Sequence, residues 1–540
     1  MEAPAGHTAH RDTFVADHLP EQSAQPELLW EIESLRYPSR LNCGAELLDA
    51  NVAIGRGATP CLLGGDGEVW SYADVLARAN RIANVLTGPM GLVPGNRVLL
   101  RGPNNPWLAM CWLAVQKAGL IAVATMPMLR AGELRPVLDK ARVDLSLCDT
   151  RFTTELEAAN ALGPSAPRIV TYGPDSELLA AMEIASPTFD NCDTAASDVA
   201  LIAFTSGTTG VPKGCVHLHR DVLAIADTFA AQLIQLVPSD IVVGSPPLAF
   251  TFGLGGLLIF PMRAGASSLL LEAASPPVLL HAIEHHRASV VFTAPTAYRA
   301  MLDVIPATDV SSWHTGISAG EPLPLATRQA IEQLTEIRLI DGLGATEMLH
   351  VFISAAGDEI RPGAIGKPLA GFTAAIVDDD GNEVPNGTVG RLAVKGPTGC
   401  RYLGDDRQAT YVQHGWNFPG DAMWRDDDGY FWYAARADDM IISSGYNIAG
   451  PEVEAALLTH PDVAECAVVG APDDQRGMVV TAFVVTKDPQ RATPAFAQAL
   501  QEHVKAAIAP YKYPRVVEFR DELPRTATGK LQRFKLRSER

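Results

Sequence analysis

This sequence has no closely paired cysteines, no long uninterrupted apolar run, and too few basic residues to balance its acidic ones. The eight cysteines are Cys43, Cys61, Cys111, Cys148, Cys192, Cys215, Cys400 and Cys466, with no CxxC spacing and no Cys/His cluster among them. That excludes zinc-ribbon and disulfide-scaffold readings and predicts buried, reduced thiols in a reducing compartment. The two most apolar stretches, 107–129 and 253–272, are interrupted by Gln116 and Lys117 and by glycines and Arg263. Neither predicts a membrane span. Residues 1–21 carry charges and histidines but no apolar h-region, so no secretory signal is expected and the default location is the cytosol. With 43 basic against 62 acidic residues the formal charge is −19. Such a surface repels nucleic acid and anionic lipid, and an anionic substrate would need a locally basic pocket. Internal repeats and low-complexity tracts are also absent.

What is present is a chain of 540 residues, 47% of them hydrophobic, which is too long for one compact core. Between 71 and 149 helical and strand-like periods alternate: helical stretches at 72–86, 106–118 and 131–141, strand-like runs at 98–100, 120–124 and 144–148. That pattern predicts α/β layers around a largely parallel sheet. Strand-like runs return at 200–204, 241–244, 289–293 and 337–340, each followed by a Gly-, Ser- or Pro-bearing loop. In open α/β sheets ligands bind beyond the carboxyl ends of the strands, so these loops are the place to look. From 362 to 419 short β segments at 372–377 and 390–394, joined by a turn-rich stretch, predict a small antiparallel subdomain. After 436 a helix opened by Pro451, strands near 463–469 and 479–485, and a helix over 494–508 predict a separate α+β module.

Four motifs carry chemistry. Directly after the 200–204 run stands Thr205-Ser206-Gly207-Thr208-Thr209-Gly210-Val211-Pro212-Lys213-Gly214. Its glycines let successive N–H groups turn toward one anion, its hydroxyls add donors and Lys213 adds charge: a phosphate cradle, without the G-K-[ST] ending of a Walker A loop. The second is Asp341-Gly342-Leu343-Gly344-Ala345-Thr346-Glu347, also placed after a strand, where a carboxylate beside phosphates suits a hard cation. The third is Gly420-Asp421 followed by Gly429 through Asp439, with Tyr433, Arg436 and Asp438 inside it; the two oxygens of Asp421 suit a pair of ribose hydroxyls. The fourth is Pro524-Arg525-Thr526-Ala527-Thr528-Gly529-Lys530, which read alone is a solvated turn.

In this order and spacing the motifs resemble the adenylate-forming superfamily of acyl- and aryl-CoA ligases, peptide-synthetase adenylation domains and luciferases. The likeness covers nearly the whole chain. Leu343 stands where many members carry an aromatic residue, and Ala435 precedes Arg436 where a glycine is usual. The resemblance implies an α/β fold: a large N-terminal domain of layered α/β sheets with a small β subdomain (1–437), and a smaller mobile C-terminal α+β domain (438–540). It implies ATP, Mg²⁺ and coenzyme A as cofactors and substrates. Thr205, Ser206, Gly207, Thr208, Thr209, Gly210, Lys213, Gly320, Glu321, Pro322, the 341–345 loop, Asp421, Tyr433 and Arg436 would then hold the nucleotide. Thr346 would meet the α-phosphate, Glu347 would hold Mg²⁺ and Lys530 would contact the carboxylate and α-phosphate. Asp438 would be the hinge about which Ser444, Gly445 and Tyr446 swing in to build the pantetheine tunnel. The last 36 residues hold ten Lys/Arg, among them Lys512, Arg515 and Arg533, against four acids. This basic end is expected either to serve the CoA phosphates or to be plain solvated surface.

The acid pocket is expected at Phe250, Thr251, Phe252 and Gly253, with Ala319 and His350. No aspartate stands in the first segment to hold an α-ammonium group, and two phenylalanines beside a glycine suit an aromatic ring. His350 would bond the acid or its ortho substituent, or else be a satisfied core histidine. The run 341–354 resembles benzoate-CoA ligases; residues 8–14 and 101–106 look more like the 2-aminobenzoate-CoA ligase branch. The expectation is an aryl-CoA ligase, with 2-aminobenzoate first and benzoate or a hydroxybenzoate next, acting as a monomer or homodimer. The rivals are a stand-alone adenylation enzyme loading a carrier protein, a luciferase-like oxygenase and a non-catalytic nucleotide-binding protein.

Overall fold

Ser71 opens the first long helix, Tyr72–Thr87, with a capping box. Its hydroxyl accepts from the Asp74 N–H and the Asp74 carboxylate accepts from the Ser71 N–H, satisfying two end donors at once. The next helix, Pro106–Lys117, has Asn105 as its cap and proline at its first turn, and every residue but Trp107 is buried. A helix that is apolar all round has no solvent face. This one packs against helix Tyr72–Thr87 and against strands of two different sheets, so it is the shared filling of the main core. The computed structural model describes residues 7–205, 212–337, 339–436, 439–443, 446–473, 477–508, 510–525 and 531–539.

The two α/β sheets are both mainly parallel. One has six strands in the order Arg168–Tyr172, Leu145–Asp149, Arg97–Arg101, Ile121–Thr125, Val199–Thr205 and Lys213–Leu218, only the last pair being antiparallel. The other has nine, with a parallel centre of Leu339–Gly344, Thr315–Ala319, Val290–Thr293, Ile241–Gly244, Ser267–Leu270 and Pro60–Gly64. The alternation read from the sequence thus belongs to two sheets, with most elements within two residues of their expected bounds. One departs: the strand expected at 337–340 runs Leu339–Gly344, where Ser318 pairs with Asp341 and Ala319 with Gly342.

The β subdomain is a six-stranded antiparallel sheet in which Thr373–Val377 pairs with Gly390–Lys395. Beyond it a five-stranded sheet, with Val463–Asp473 against Gly477–Thr486, packs on helices Gly450–Leu458 and Pro494–Ala507 and has its own core. The expected domain boundary at 437/438 and the expected hinge Asp438 lie outside the described residues. Among the described residues no helix is long and apolar enough to cross a membrane. All eight cysteines are free, six of them buried.

Residues 400–403 tie the β subdomain to the six-stranded α/β sheet. They run antiparallel to its edge strand Lys213–Leu218, with Val216 N donating to Arg401 O (2.8 Å) and Leu403 N to Gly214 O (2.9 Å). Beside this joint the Arg401 guanidinium meets the Asp221 carboxylate at 3.0 Å, with side chains 3% and 0% exposed. Removing one partner of such a pair strands the other charge. Arg401→Met is therefore expected to cost about 3–5 kcal/mol, read as a shift in urea unfolding of the variant against the parent; a change below about 1 kcal/mol would contradict the pairing.

Candidate active site

Six parallel strands from the two α/β sheets deliver their carboxyl ends to one cavity of about 580 Å³. Its walls take Thr125 and Met126 after strand Ile121–Thr125, Thr205 at the end of its own strand, and Ser245 to Pro247 after Ile241–Gly244. Ala294 and Thr296, Ala319 to Glu321, and Gly344 to Thr346 follow their strands in the same way. Of the residues expected in the acid pocket, Phe250, Thr251, Phe252, Ala319 and His350 line this cavity. Gly253 does not: it is packed so closely on Pro247 that a Cβ would fall 2.1 Å from the Pro247 carbonyl oxygen.

His350 sits at the aromatic end of the cavity. Its ring centroid lies 4.6 Å from that of Phe260, 5.4 Å from Phe229 and 5.7 Å from Phe252. Gly255 leaves room for it, since a Cβ there would come within 2.5 Å of the imidazole. Burial pushes its pKa down to about 3, opposed by the Phe252 backbone, and neither ring nitrogen has a hydrogen bond of normal geometry within the protein. It is a neutral imidazole in an apolar pocket, with the Phe252 backbone as its polar neighbour.

The Thr346–Glu347 segment is held from behind. His217 Nε2 bonds the Thr346 carbonyl (2.8 Å), the Thr398 hydroxyl donates to the Met348 carbonyl (2.7 Å), and the Tyr402 hydroxyl donates to Glu347 Oε1 (2.6 Å). Leu349 turns the chain with φ +68° and ψ −35°, a conformation costly for a branched side chain. Thr346 lines the cavity, whereas Glu347 is buried behind it. Among the described residues no group of three or more His, Cys, Asp or Glu is placed to hold a metal. One carboxylate is the protein share that Mg²⁺ takes when phosphates and water complete its octahedron, so Glu347 fits a cation arriving with a nucleotide.

Asp341, Gly342 and Leu343 belong to the strand and do not line the cavity, contrary to the loop expected there. Burial pushes the Asp341 carboxyl up to about 6, with Arg328 opposing. Pro322, Tyr433, Asp421 and Arg436 also fall outside the lining. Asp421 and Arg436 oppose each other across strands Asp421–Arg425 and Phe431–Arg436, Arg436 Nη1 donating to Asp421 Oδ1 (3.1 Å) and to the Pro419 carbonyl (2.7 Å). Ser206, Gly207, Thr208, Thr209, Gly210, Ser444, Gly445 and Lys530 lie outside the described residues; Tyr446 opens the strand Tyr446–Ala449.

The C-terminal module reaches the site. Gln532 lines the cavity and Arg525 approaches Glu321 at 3.8 Å. Neither was picked out by sequence as a cavity residue, although Gln532 follows Lys530 by two positions. Several cations of the basic end are already engaged. Lys512 binds both oxygens of Glu452 at 2.6 Å, Arg533 binds both of Glu454, Arg537 pairs with Asp439, and Arg515 lies over the Tyr513 ring.

Comparison with known proteins places this geometry. The model of the AMP-binding enzyme family matches residues 50–402, and that of the AMP-binding enzyme C-terminal domain matches 452–530. Benzoate–CoA ligase of Thauera aromatica is 32% identical over 94% of this chain and 97% of its own. The 3-hydroxybenzoate–CoA ligase of Aromatoleum sp. (strain CIB) is 31% identical over 93% and 98%. A crystal structure of an anthranilate CoA ligase in complex with anthranoyl-AMP superposes with a TM-score of 0.89 at 33% identity, covering 94% of this chain and 99% of that one.

Three histidines bear on stability. Burial lowers His217 to about 4 and His219 and His350 to about 3. Each binds a proton more readily unfolded than folded. The stability they confer is complete above their ordinary pKa of 6.5 and is lost as pH falls from there toward 3–4. Each contributes up to about 1.4 kcal/mol per pH unit, about 4 for the three near pH 5; the raised Asp341, which binds its proton more readily folded, opposes them by about 1, so a net slope of about 3 kcal/mol per unit is expected. Urea unfolding between pH 7.5 and 4.5 measures it, and a flat profile from 6.5 to 5 would contradict these burials.

Proposed function

The chain belongs to the AMP-binding enzyme family, and on that premise we propose that it is an aryl-CoA ligase whose preferred acid is 2-aminobenzoate. It is an AMP-forming acid–thiol ligase, and the overall reaction is 2-aminobenzoate + ATP + CoA to 2-aminobenzoyl-CoA + AMP + diphosphate. The observation that carries the substrate choice is His350. Its neutral imidazole lies among phenylalanines at the end of the cavity, with neither ring nitrogen in a hydrogen bond of normal geometry within the protein. An aromatic acid with a hydrogen-bonding ring substituent satisfies it, whereas a bare hydrocarbon leaves a buried polar group unmatched.

In the first step a carboxylate oxygen of the acid attacks the α-phosphorus. The bond to the β-phosphate breaks, diphosphate leaves and the aryl-AMP anhydride remains. In the second the CoA sulfur attacks the acyl carbon, its proton departs, and the C–O bond to AMP breaks. Thr205 to Gly210 and Lys213 cradle the phosphates, Thr346 meets the α-phosphate and Asp421 takes the ribose hydroxyls, with Tyr433 and Arg436 beside it. Glu347 would hold Mg²⁺, which when bound offsets triphosphate charge. Residues 1–437 bind ATP and acid, and 438–540 act as a lid. The lid brings Lys530 to the carboxylate for the first step. Turning about Asp438, it then replaces Lys530 with Ser444, Gly445 and Tyr446 for the second.

The test is a panel of 2-aminobenzoate, benzoate, 3-hydroxybenzoate and octanoate with Mg-ATP and CoA, following AMP and thioester by mass spectrometry. Equal amounts of AMP and aryl-CoA are expected, with 2-aminobenzoate fastest and octanoate inert. His350→Leu is expected to lower kcat/KM for 2-aminobenzoate about tenfold, the equivalent of one hydrogen bond, and to leave benzoate within about threefold. Equal loss on both acids removes the argument for 2-aminobenzoate. Anhydride accumulating without thioester would point to a carrier protein as the acceptor.

A further inference from the structure

A buried tyrosine stands behind the active-site wall. Tyr402 is fully buried on the 400–403 segment that pairs with strand Lys213–Leu218. Its hydroxyl oxygen is 2.6 Å from Glu347 Oε1 and 3.2 Å from Lys213 Nζ. A lysine ammonium only donates, so the phenol oxygen accepts from Lys213 and its single proton is committed to Glu347. An O–H bond to a carboxylate is of the strong, charge-assisted kind. The ring is locked as well: Tyr411 meets it edge-on at 5.7 Å, and the Lys213 ammonium lies 5.0 Å from its centroid.

We propose that Tyr402 is a positioning residue that pins Oε1 of Glu347 and so presents the other carboxylate oxygen to the nucleotide's divalent cation. This rests on Glu347 being the metal carboxylate. The surroundings favour a device for aim rather than for bulk stability. The carbonyls on either side of Glu347, those of Thr346 and Met348, are already fixed by His217 and Thr398, so the backbone is held without Tyr402. What Tyr402 adds is the orientation of one carboxylate. Lys213 opens the strand against which the segment bearing Tyr402 pairs, so Lys213 and the metal carboxylate's partner share one rigid support. The cation site is then aimed before the nucleotide arrives, and no ordering has to be met on binding.

The experiment is Tyr402→Phe in the full chain, which removes one oxygen and keeps the ring. Mg²⁺-dependent binding of α,β-methylene-ATP is measured by calorimetry. Alongside it run aryl-AMP formation at varied Mg²⁺ and thioester formation from synthetic aryl-AMP and CoA. The Mg²⁺ concentration at half-effect is expected to rise about 10–100-fold, as for loss of a partner that orients a metal ligand, in both binding and aryl-AMP formation. The thioester step should stay within about twofold. An unchanged Mg²⁺ midpoint overturns the proposal. So does equal loss in both steps with a lowered melting temperature, which is what a purely structural role produces. Glu347→Gln is run in parallel. If it shifts the Mg²⁺ midpoint and Tyr402→Phe does not, the role of Tyr402 alone fails; if neither shifts it, the metal assignment of Glu347 fails first.

Discussion

The structure depends on a sharp turn at Leu349. A leucine at φ +68° is unfavourable by about 1–3 kcal/mol, and it persists because its surroundings over-determine it. Its side chain and that of Met348 are sealed in the main core. The carbonyls of Thr346 and Met348 are tied to His217, on strand Lys213–Leu218, and to Thr398, in the loop after strand Gly390–Lys395. The turn separates two neighbours by purpose. Glu347 faces the buried Tyr402, and His350, three residues on, enters the aromatic end of the cavity. The buried carboxylate and the pocket histidine are thus spaced by one piece of backbone, and neither can move without the other.

Much of this was legible in the sequence because it follows from local rules. The alternation between 72 and 149 named helices and strands to within a residue or two, and the rule that ligands sit beyond strand ends led to the loops that hold Thr205 and Thr346, whereas Ala319 and Gly320, after a strand the pattern did not announce, came with the resemblance. What was not legible depends on partners far apart in the chain. The strand Leu339–Gly344 runs past its apolar core because Ser318 and Ala319 pair with it, which placed Asp341 and Leu343 in the sheet. The basic C-terminal stretch reads as open charge until Glu452 and Glu454 are seen to face Lys512 and Arg533. No pattern within a window announces that a tyrosine 55 residues away will meet Glu347.

The likeness to known ligases divides in the same way. Identity near 30% over almost the whole length fixes the reaction, because the residues that handle a nucleotide answer to a constant ligand. Ring substituents answer to a handful of side chains at one end of the cavity. Discriminating one small group there is worth only about 1–3 kcal/mol, which a single side chain can supply or withhold. Class and substrate are therefore written at different densities along the chain.

The docking of residues 400–403 onto strand Lys213–Leu218 also has a consequence in time. During synthesis that strand leaves the ribosome as the edge of its sheet, and its covering segment follows nearly two hundred residues later. At roughly 5–20 residues per second, the edge stands open for about 10–40 s. An unpaired edge invites pairing with another chain. The nascent protein therefore passes through a window in which the strand bearing Lys213 needs shielding from its neighbours.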